Sequence, residues 1–123
     1  MDKAFNPASS IPVKETYTER LPVGVVTVIS PWNVLLHLSL RAVAPAITLG
    51  NAVILKSSFD TPIAEGLILD RLFELAGLPL EVLSVLPGRI SVIGDYITSH
   101  PRSRVVAFTG STEAGGHVAS LAV

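Results

Sequence analysis

The sequence predicts an α/β protein in which helices cover both faces of a parallel sheet. Apolar, β-branched runs of strand length recur along the chain, and longer stretches with helical spacing separate them. Strands that are buried on both faces have such continuous apolar sequences. The 123 residues suffice for one core. We place this core in residues 21–123 and interpret residues 1–20 as a polar arm or edge strand.

The elements follow from these patterns in chain order. The first strand covers residues 24–29, and a helix follows from 34 to about 49, kinked or shortened by Pro45. The turn signal Gly50-Asn51 introduces the second strand at 52–55. The remaining patterns predict strands at 82–86 and 104–108, helices at 92–99 and 111–121, and an exposed or edge strand at 13–18.

The helix after the second strand has the clearest signals. Thr61 is predicted as its N-cap, Pro62 occupies the first helical position, and Gly77 followed by Pro79 ends it. The apolar positions at helical spacing are Ala64, Ile68, Leu72, Leu75 and Ala76. The charged residues that point elsewhere are Glu65, Asp70, Arg71 and Glu74. We therefore expect an amphipathic helix whose apolar face is directed to the core.

Composition narrows the class of protein. Because 49% of the residues are apolar and 15% charged, we expect part of the apolar surface to be covered by other segments or another subunit. The net charge of -1, without a basic stripe, argues against nucleic acid as a partner. The longest apolar stretch, residues 34–49, is interrupted and too short for a membrane span, and the first ten residues lack a secretory signal. We therefore expect a cytoplasmic protein that does not contact membranes.

Residue types that carry thiol or metal chemistry are scarce. The sequence contains no cysteine, which excludes disulfides, thiolate metal ligands and a cysteine nucleophile within these residues. His37, His100 and His117 have no carboxylate or thiol neighbours at ligand spacing, so we expect no metal site.

Polar or small residues follow each predicted strand of the sheet. These strand-to-helix turns, which share one sheet edge, are residues 30–33, 56–61, 87–91 and 109–112. Asn33 places an amide between a strand and an apolar helix, where it either caps that helix or serves a ligand. Trp32 beside it is interpreted as packing.

Two further turns at this edge contain candidate ligand-binding residues. Lys56 directly follows its strand, and its ammonium either reaches a ribose hydroxyl or phosphate or snorkels to solvent. The turn Thr109-Gly110-Ser111-Thr112 suits an anion at a helix start, although Ser111 or Thr112 equally suits an ordinary N-cap. Neither a G-x-G-x-x-G fingerprint nor a P-loop occurs. Position alone therefore leaves these roles open.

Many short segments of residues 13–123 resemble the aldehyde dehydrogenase superfamily in order and spacing. They include Ser30-Pro31-Trp32-Asn33, Leu49-Gly50-Asn51-Ala52-Val53, Lys56, Thr61-Pro62, Ala76-Gly77-Leu78-Pro79, Pro87-Gly88, His100-Pro101 and Phe108-Thr109-Gly110-Ser111-Thr112. Residues 40–58 with Asp60-Thr61-Pro62 are most similar to the benzaldehyde and vanillin dehydrogenase branch. The resemblance implies a Rossmann-like domain that binds NAD or NADP without the usual glycine fingerprint.

The resemblance also implies roles for single residues. Asn33 matches the asparagine whose amide stabilises the thiohemiacetal oxyanion, and Lys56 matches the lysine that holds the adenosine ribose. Ser111 matches the serine that contacts the pyrophosphate, with Gly110 allowing close approach. The other cofactor-binding positions implied in this way are Ser30, Pro31, Trp32, Gly88 and Thr109. The choice between NAD and NADP stays open, because Phe59 stands where many NAD-selective relatives have a glutamate.

The family's reaction needs residues that these 123 do not include. A cysteine thiolate attacks the aldehyde and a glutamate activates water, and neither motif is present. The resemblance implies oxidation of a small aldehyde, aromatic in this branch, to a carboxylic acid, and a homo-oligomer in the full-length relative. We expect an incomplete cofactor domain that is inactive alone. The alternatives are a non-catalytic nucleotide-binding or assembly module and the remnant of a truncated gene.

Overall fold

A four-stranded parallel sheet forms the centre of the computed structural model, which describes residues 4–5 and 17–122. Its strands are β3 (Val25–Ile29), β4 (Ala52–Lys56), β5 (Leu83–Val85) and β6 (Ser103–Phe108). They lie in the order β5-β4-β3-β6, and every neighbouring pair is parallel. Separately, β1 (Ala4–Phe5) pairs antiparallel with β2 (Tyr17–Thr18). Of the strand predicted at 13–18, residues 13–16 lie outside the described residues.

Helices connect the strands of the sheet in the predicted alternation. They are α1 (Leu35–Thr48), a π-helical turn (Pro62–Leu67) continuing into α2 (Ile68–Leu75), α3 (Ile90–Ser99) and α4 (Thr112–Leu121). Their bounds differ from the predicted ones by a few residues, and Pro45 lies inside α1. The predicted α/β class with a Rossmann-like parallel sheet is confirmed.

The sheet separates two apolar cores because alternate residues of a strand point to opposite faces. On one face, Val28 and Leu55 pack with Val43 of α1 and Leu69 of α2. On the other face, the apolar residues that pack together are Ile29, Ile97 of α3 and Val118 of α4. Helices therefore cover both faces, with α1 and α2 on one side and α3 and α4 on the other.

Glycines end α1 and α2 where the sequence predicts a turn or stop. Gly50 has φ +83°, its N–H bonds to Ile47 O at 2.9 Å, and Asn51 N–H bonds to Ala46 O at 3.1 Å. Gly77, at φ +89°, ends α2 with the equivalent pair of bonds. Both are Schellman motifs, in which a left-handed residue closes the last turn. The chain is thereby redirected from α1 straight into β4.

The expected orientation of the helix after β4 is wrong. Glu65 and Leu69 are buried, whereas Leu72 and Leu75 of the predicted core face are 51% and 69% exposed. Residues 62–67 form a π-helical turn, which holds more residues than an α-helical turn. The side chains that follow are therefore rotated about the helix axis relative to a regular helix with about 3.6 residues per turn. Thr61 stands at the N-cap position, but its side chain makes no capping bond.

Gly66 lies where this π-helical turn touches the sheet. A Cβ there would meet Val85 Cγ1 at 2.7 Å and Ser57 Oγ at 3.0 Å. We expect Gly66→Ala to lower the free energy of unfolding by about 1–3 kcal/mol through overpacking, measured by urea denaturation. Gly116→Ala is the matched control, because a Cβ in that helix would meet nothing within 4 Å. Equal stability of the two variants would contradict this close packing.

Large apolar side chains remain on the surface, as the composition predicts. Leu36 and Leu40 of α1, with Leu72 of α2, border an open groove of about 280 Å³. Within the described ranges, no helix is long and apolar enough to cross a membrane.

Candidate functional site

A cleft opens at the carboxyl edge of the sheet between β3 and β6. The helices that follow β3 and β4 are α1 and α2, and they lie on one face of the sheet. The other face carries α3, which precedes β6, and α4, which follows β6. The connection therefore reverses direction between β3 and β6, and such a switch point is where open α/β sheets bind ligands. The cleft measures about 270 Å³ and is lined by Pro31, Trp32, Asn33, Leu38, Thr109, Gly110 and Ser111.

Asn33 presents an exposed amide to this cleft. The N-cap position of α1 is Val34, whose side chain makes no capping hydrogen bond. Among the described residues, the Asn33 amide makes no hydrogen bond. The helix-capping interpretation of Asn33 is therefore wrong, and its N–H groups face a space that a ligand can occupy.

Pro31 and Trp32, just before Asn33, line the cleft, whereas Ser30 does not. Ser30 is 5% exposed, and its Oγ has no hydrogen-bond partner within the described part of the chain. Trp32 is 62% exposed, so its interpretation as a packing residue is wrong. Its neighbours in the short turn bury little of the ring, which leaves it available at the mouth.

The turn after β6 forms the opposite wall. Thr109 N–H bonds to Ile29 O at 3.0 Å, and Ser111 Oγ accepts from Ala114 N–H at 3.3 Å as the N-cap of α4. The hydroxyl of Ser111 therefore caps α4, as the N-cap interpretation of this residue predicts. Among the described residues, the N–H groups of Gly110 and Ser111 donate to no acceptor. Such N–H groups at a helix start attract anions.

Gly110 has no room for a side chain. A Cβ there would lie 2.5 Å from Phe108 Cζ, so a larger residue would displace either the ring or the turn. Because Gly110 carries no side chain, a ligand can approach the N–H groups of this turn closely.

Lys56 ends β4, one strand away from the cleft. Its partner in register is Ile29, and its carbonyl accepts from Ser30 N–H at 3.3 Å. The residue is only 4% exposed, so the surface-lysine interpretation is wrong. Burial lowers the pKa of Lys56 below its usual value of 10.5, while the nearby charges of Glu65 and Asp60 oppose that decrease.

The turns after β4 and β5 contact one another farther along the same edge. The Arg89 guanidinium lies 4.1 Å from the centroid of the Phe59 ring, a cation–π contact between the two turns. Gly88 precedes Arg89 and is partly buried. The structure thus brings six predicted residues of the first and last turns into one cleft, namely Pro31, Trp32, Asn33, Thr109, Gly110 and Ser111. Ser30, Lys56 and Gly88 do not line it, although Lys56 ends the neighbouring strand.

Two polar residues near the candidate site have contacts that the sequence did not predict. Arg41 donates to Thr109 Oγ1 at 3.4 Å and links α1 to the last turn. Glu65 is fully buried beneath the turn after β4, although we expected it to point away from the core. Its one signal in the sequence is an acidic residue within the otherwise apolar run from Ile63 to Ile68.

Other parts of the surface fit a site less well. A cavity of about 410 Å³ lies at the amino end of β6, lined by residues 98–106 except Arg102, with Leu121 and Ala122, and contains none of the predicted residues. His117 contacts Asp95 at 2.9 Å on an exposed surface. In residues 4–5 and 17–122 there is no group of three or more His, Cys, Asp or Glu residues that could hold a metal ion.

A parallel sheet with a cleft at its switch point is typical of the Rossmann-like class of nucleotide-binding domains. The model of the aldehyde dehydrogenase family matches residues 2–123 of this sequence. The chain belongs to the aldehyde dehydrogenase family, which confirms the resemblance.

Similar proteins share both the sequence and the fold. A vanillin dehydrogenase of Corynebacterium glutamicum is 48% identical over 94% of this chain and 24% of its own length. The benzaldehyde dehydrogenase YfmT of Bacillus subtilis is 44% identical over the same shares. The crystal structure of an NAD-dependent benzaldehyde dehydrogenase from C. glutamicum superposes with a TM-score of 0.84, at 47% identity over 98% of this chain and 25% of that one. The chain thus spans about a quarter of the length of these relatives, and its similarity to the benzaldehyde and vanillin branch is confirmed.

Proposed function

We propose that this chain forms part of the NAD- or NADP-binding domain of an aldehyde dehydrogenase that oxidises an aromatic aldehyde to its carboxylic acid. The observation that carries this proposal is the placement of the Asn33 amide, which has no hydrogen-bond partner among the described residues, opposite the Thr109–Ser111 turn in one cleft at the switch point. The reported activities of the vanillin and benzaldehyde dehydrogenases support the substrate class.

The residues of this edge suit a dinucleotide. The N–H groups of Gly110 and Ser111 would hold the pyrophosphate at the start of α4, where the helix dipole favours negative charge. Lys56 would donate to the adenosine ribose, next to Gly88, and Pro31 and Trp32 would line the cleft with Thr109. The Ser30 hydroxyl, which is buried and has no hydrogen-bond partner in the described part of the chain, would supply a further polar group next to Pro31. The bound cofactor would supply a hydride acceptor.

Asn33 would act on the substrate itself. When a nucleophile adds to an aldehyde, negative charge develops on the carbonyl oxygen, and a fixed N–H donor stabilises that charge. Because the Asn33 amide has no competing partner in the described structure, it can donate without breaking another bond. A donor of this kind contributes about 3 kcal/mol to transition-state stabilisation.

No thiol is available among these residues to attack the aldehyde, since the sequence contains no cysteine. We therefore expect the 123-residue chain alone to give no NAD- or NADP-dependent oxidation of benzaldehyde above the rate of a sample without protein. The measurement is NADH or NADPH formation at 340 nm with aldehyde in excess. Turnover that follows the protein through repeated purification would contradict this expectation.

Titration calorimetry of the chain with NAD and with NADP tests the binding part of the proposal. We expect saturable binding of one nucleotide per chain, with ADP-ribose competing because it carries the pyrophosphate and the adenosine ribose. A chain that is folded by circular dichroism and releases no heat with either nucleotide would contradict the proposal.

A non-catalytic nucleotide-binding or assembly module is the second candidate. The apolar residues that α1 and α2 leave exposed favour it. We further propose that the site works within a homo-oligomer, because large exposed apolar surfaces mark interfaces. The location that we propose for it is the cytoplasm. A monomer by sedimentation at all concentrations of the chain would contradict the oligomer.

A further inference from the structure

Glu65 is a fully buried carboxylate at the centre of a hydrogen-bond network. Its Oε1 accepts from Ser39 Oγ at 3.0 Å, and its Oε2 accepts from Ser58 N–H at 2.8 Å and from Thr61 Oγ1 at 3.3 Å. Glu65 and Ser39 are each 0% exposed. A buried carboxylate is tolerated only where such donors or an opposite charge compensate for lost hydration.

These contacts join one rigid element to one loop. Ser39 belongs to α1 and packs in the core, whereas Ser58 and Thr61 belong to the loop 57–61 between β4 and the π-helical turn. That loop begins directly after Lys56. Because two of the three bonds end on the loop, the carboxylate fixes the path of the chain that leaves Lys56.

The charge of Glu65 also acts on Lys56. The two side chains form no salt bridge within 4.0 Å, yet the carboxylate is the largest influence that opposes the decrease in the pKa of Lys56 caused by burial. Asp60 contributes in the same direction. The Glu65 carboxylate therefore favours the protonated form of Lys56.

We propose that Glu65 is the positioning residue of the nucleotide site: its carboxylate anchors the loop 57–61 and thereby holds the Lys56 ammonium where the ribose binds. This inference rests on the proposed function of Lys56 in nucleotide binding. It assigns a role to a residue that does not touch the nucleotide.

The test compares Glu65→Gln with Glu74→Gln in the full chain. Glutamine retains the size of the side chain but removes the charge and one of the acceptor oxygens. We expect the affinity for ADP-ribose to fall about tenfold in Glu65→Gln and to be unchanged in Glu74→Gln, whose carboxylate is exposed. Amide exchange at Ser58 should accelerate in Glu65→Gln while exchange at Leu55 in the sheet stays slow.

A double variant separates positioning from general stability. In Lys56→Met with Glu65→Gln, the loss of affinity should equal that of Lys56→Met alone, because Glu65 acts through Lys56. Additive losses, or unchanged affinity in Glu65→Gln, would overturn the positioning role. If Glu65→Gln does not fold, Ser39→Ala removes one bond from outside the loop and should give a smaller loss in the same direction.

Failure of the proposed function gives a different result. In that case the unaltered chain binds no ADP-ribose, and the role of Glu65 in positioning the nucleotide is overturned together with the proposed function. If the unaltered chain binds ADP-ribose but Ser58 exchange is the same in Glu65→Gln, only the role of Glu65 is overturned.

Discussion

Lys56→Met reduces the affinity of the chain for NAD and for ADP-ribose about thirtyfold, the largest functional effect that we expect. Methionine keeps the buried aliphatic part of the side chain, which is 4% exposed, and removes only the ammonium. Hydrogen bonds from a charged donor contribute about 2 kcal/mol, which corresponds to this change in affinity. Titration calorimetry measures it directly.

Arg102→Ala is the matched control for charge. Arg102 is an exposed cation just before β6, at the opposite edge of the sheet from Lys56. We expect no change in nucleotide affinity for this variant. Equal losses in Lys56→Met and Arg102→Ala would indicate attraction by overall charge and would contradict a ribose contact at Lys56.

Asn51→Ala lowers the free energy of unfolding by about 3 kcal/mol, the largest effect on stability that we expect from a polar residue. Asn51 Oδ1 accepts from Val23 N–H at 2.7 Å and Gly24 N–H at 3.1 Å, and its Nδ2 donates to Ala46 O at 3.0 Å. The side chain thereby joins the end of α1 to the start of β3. Its removal leaves the N–H groups of Val23 and Gly24 without this acceptor, at a cost of about 1–3 kcal/mol each before water replaces some of it, whereas Ala46 O keeps its bond from Asn51 N–H.

Urea denaturation measures this change, with Thr48→Ala as the control. Thr48 Oγ1 bonds to Ala44 O within α1 itself and is exposed, so its removal should cost less than about 0.5 kcal/mol. If Asn51→Ala were as stable as Thr48→Ala, the bridge between α1 and β3 would not stabilise the fold.

Local sequence was sufficient to predict the strands, most of the helices and the sheet edge that carries the candidate site. The valine and isoleucine runs predict β3, β4 and β6, and Gly50 and Gly77 predict the two helix ends, because each depends on neighbours in the chain. The turns after parallel strands meet at one edge for purely topological reasons. Asn33 and the turn 109–111 were therefore identifiable before their contacts were known.

Features that depend on distant contacts could not be predicted in this way. Gly66 of the π-helical turn packs closely against Ser57 and Val85, and local periodicity does not encode these contacts. Because this turn rotates the helix, it inverts the expected orientation of Glu65. The cleft itself needs β3 and β6 as neighbours, a pairing between strands that lie far apart in the chain.

A crystal structure of the chain with NAD tests the central claim, a nucleotide site at the carboxyl edge of the sheet, most directly. We predict the pyrophosphate within hydrogen-bond distance of the N–H groups of Gly110 and Ser111, and the adenosine ribose next to the Lys56 ammonium. NAD bound instead in the cavity at the amino end of β6, or no bound nucleotide at saturating concentration, would contradict it.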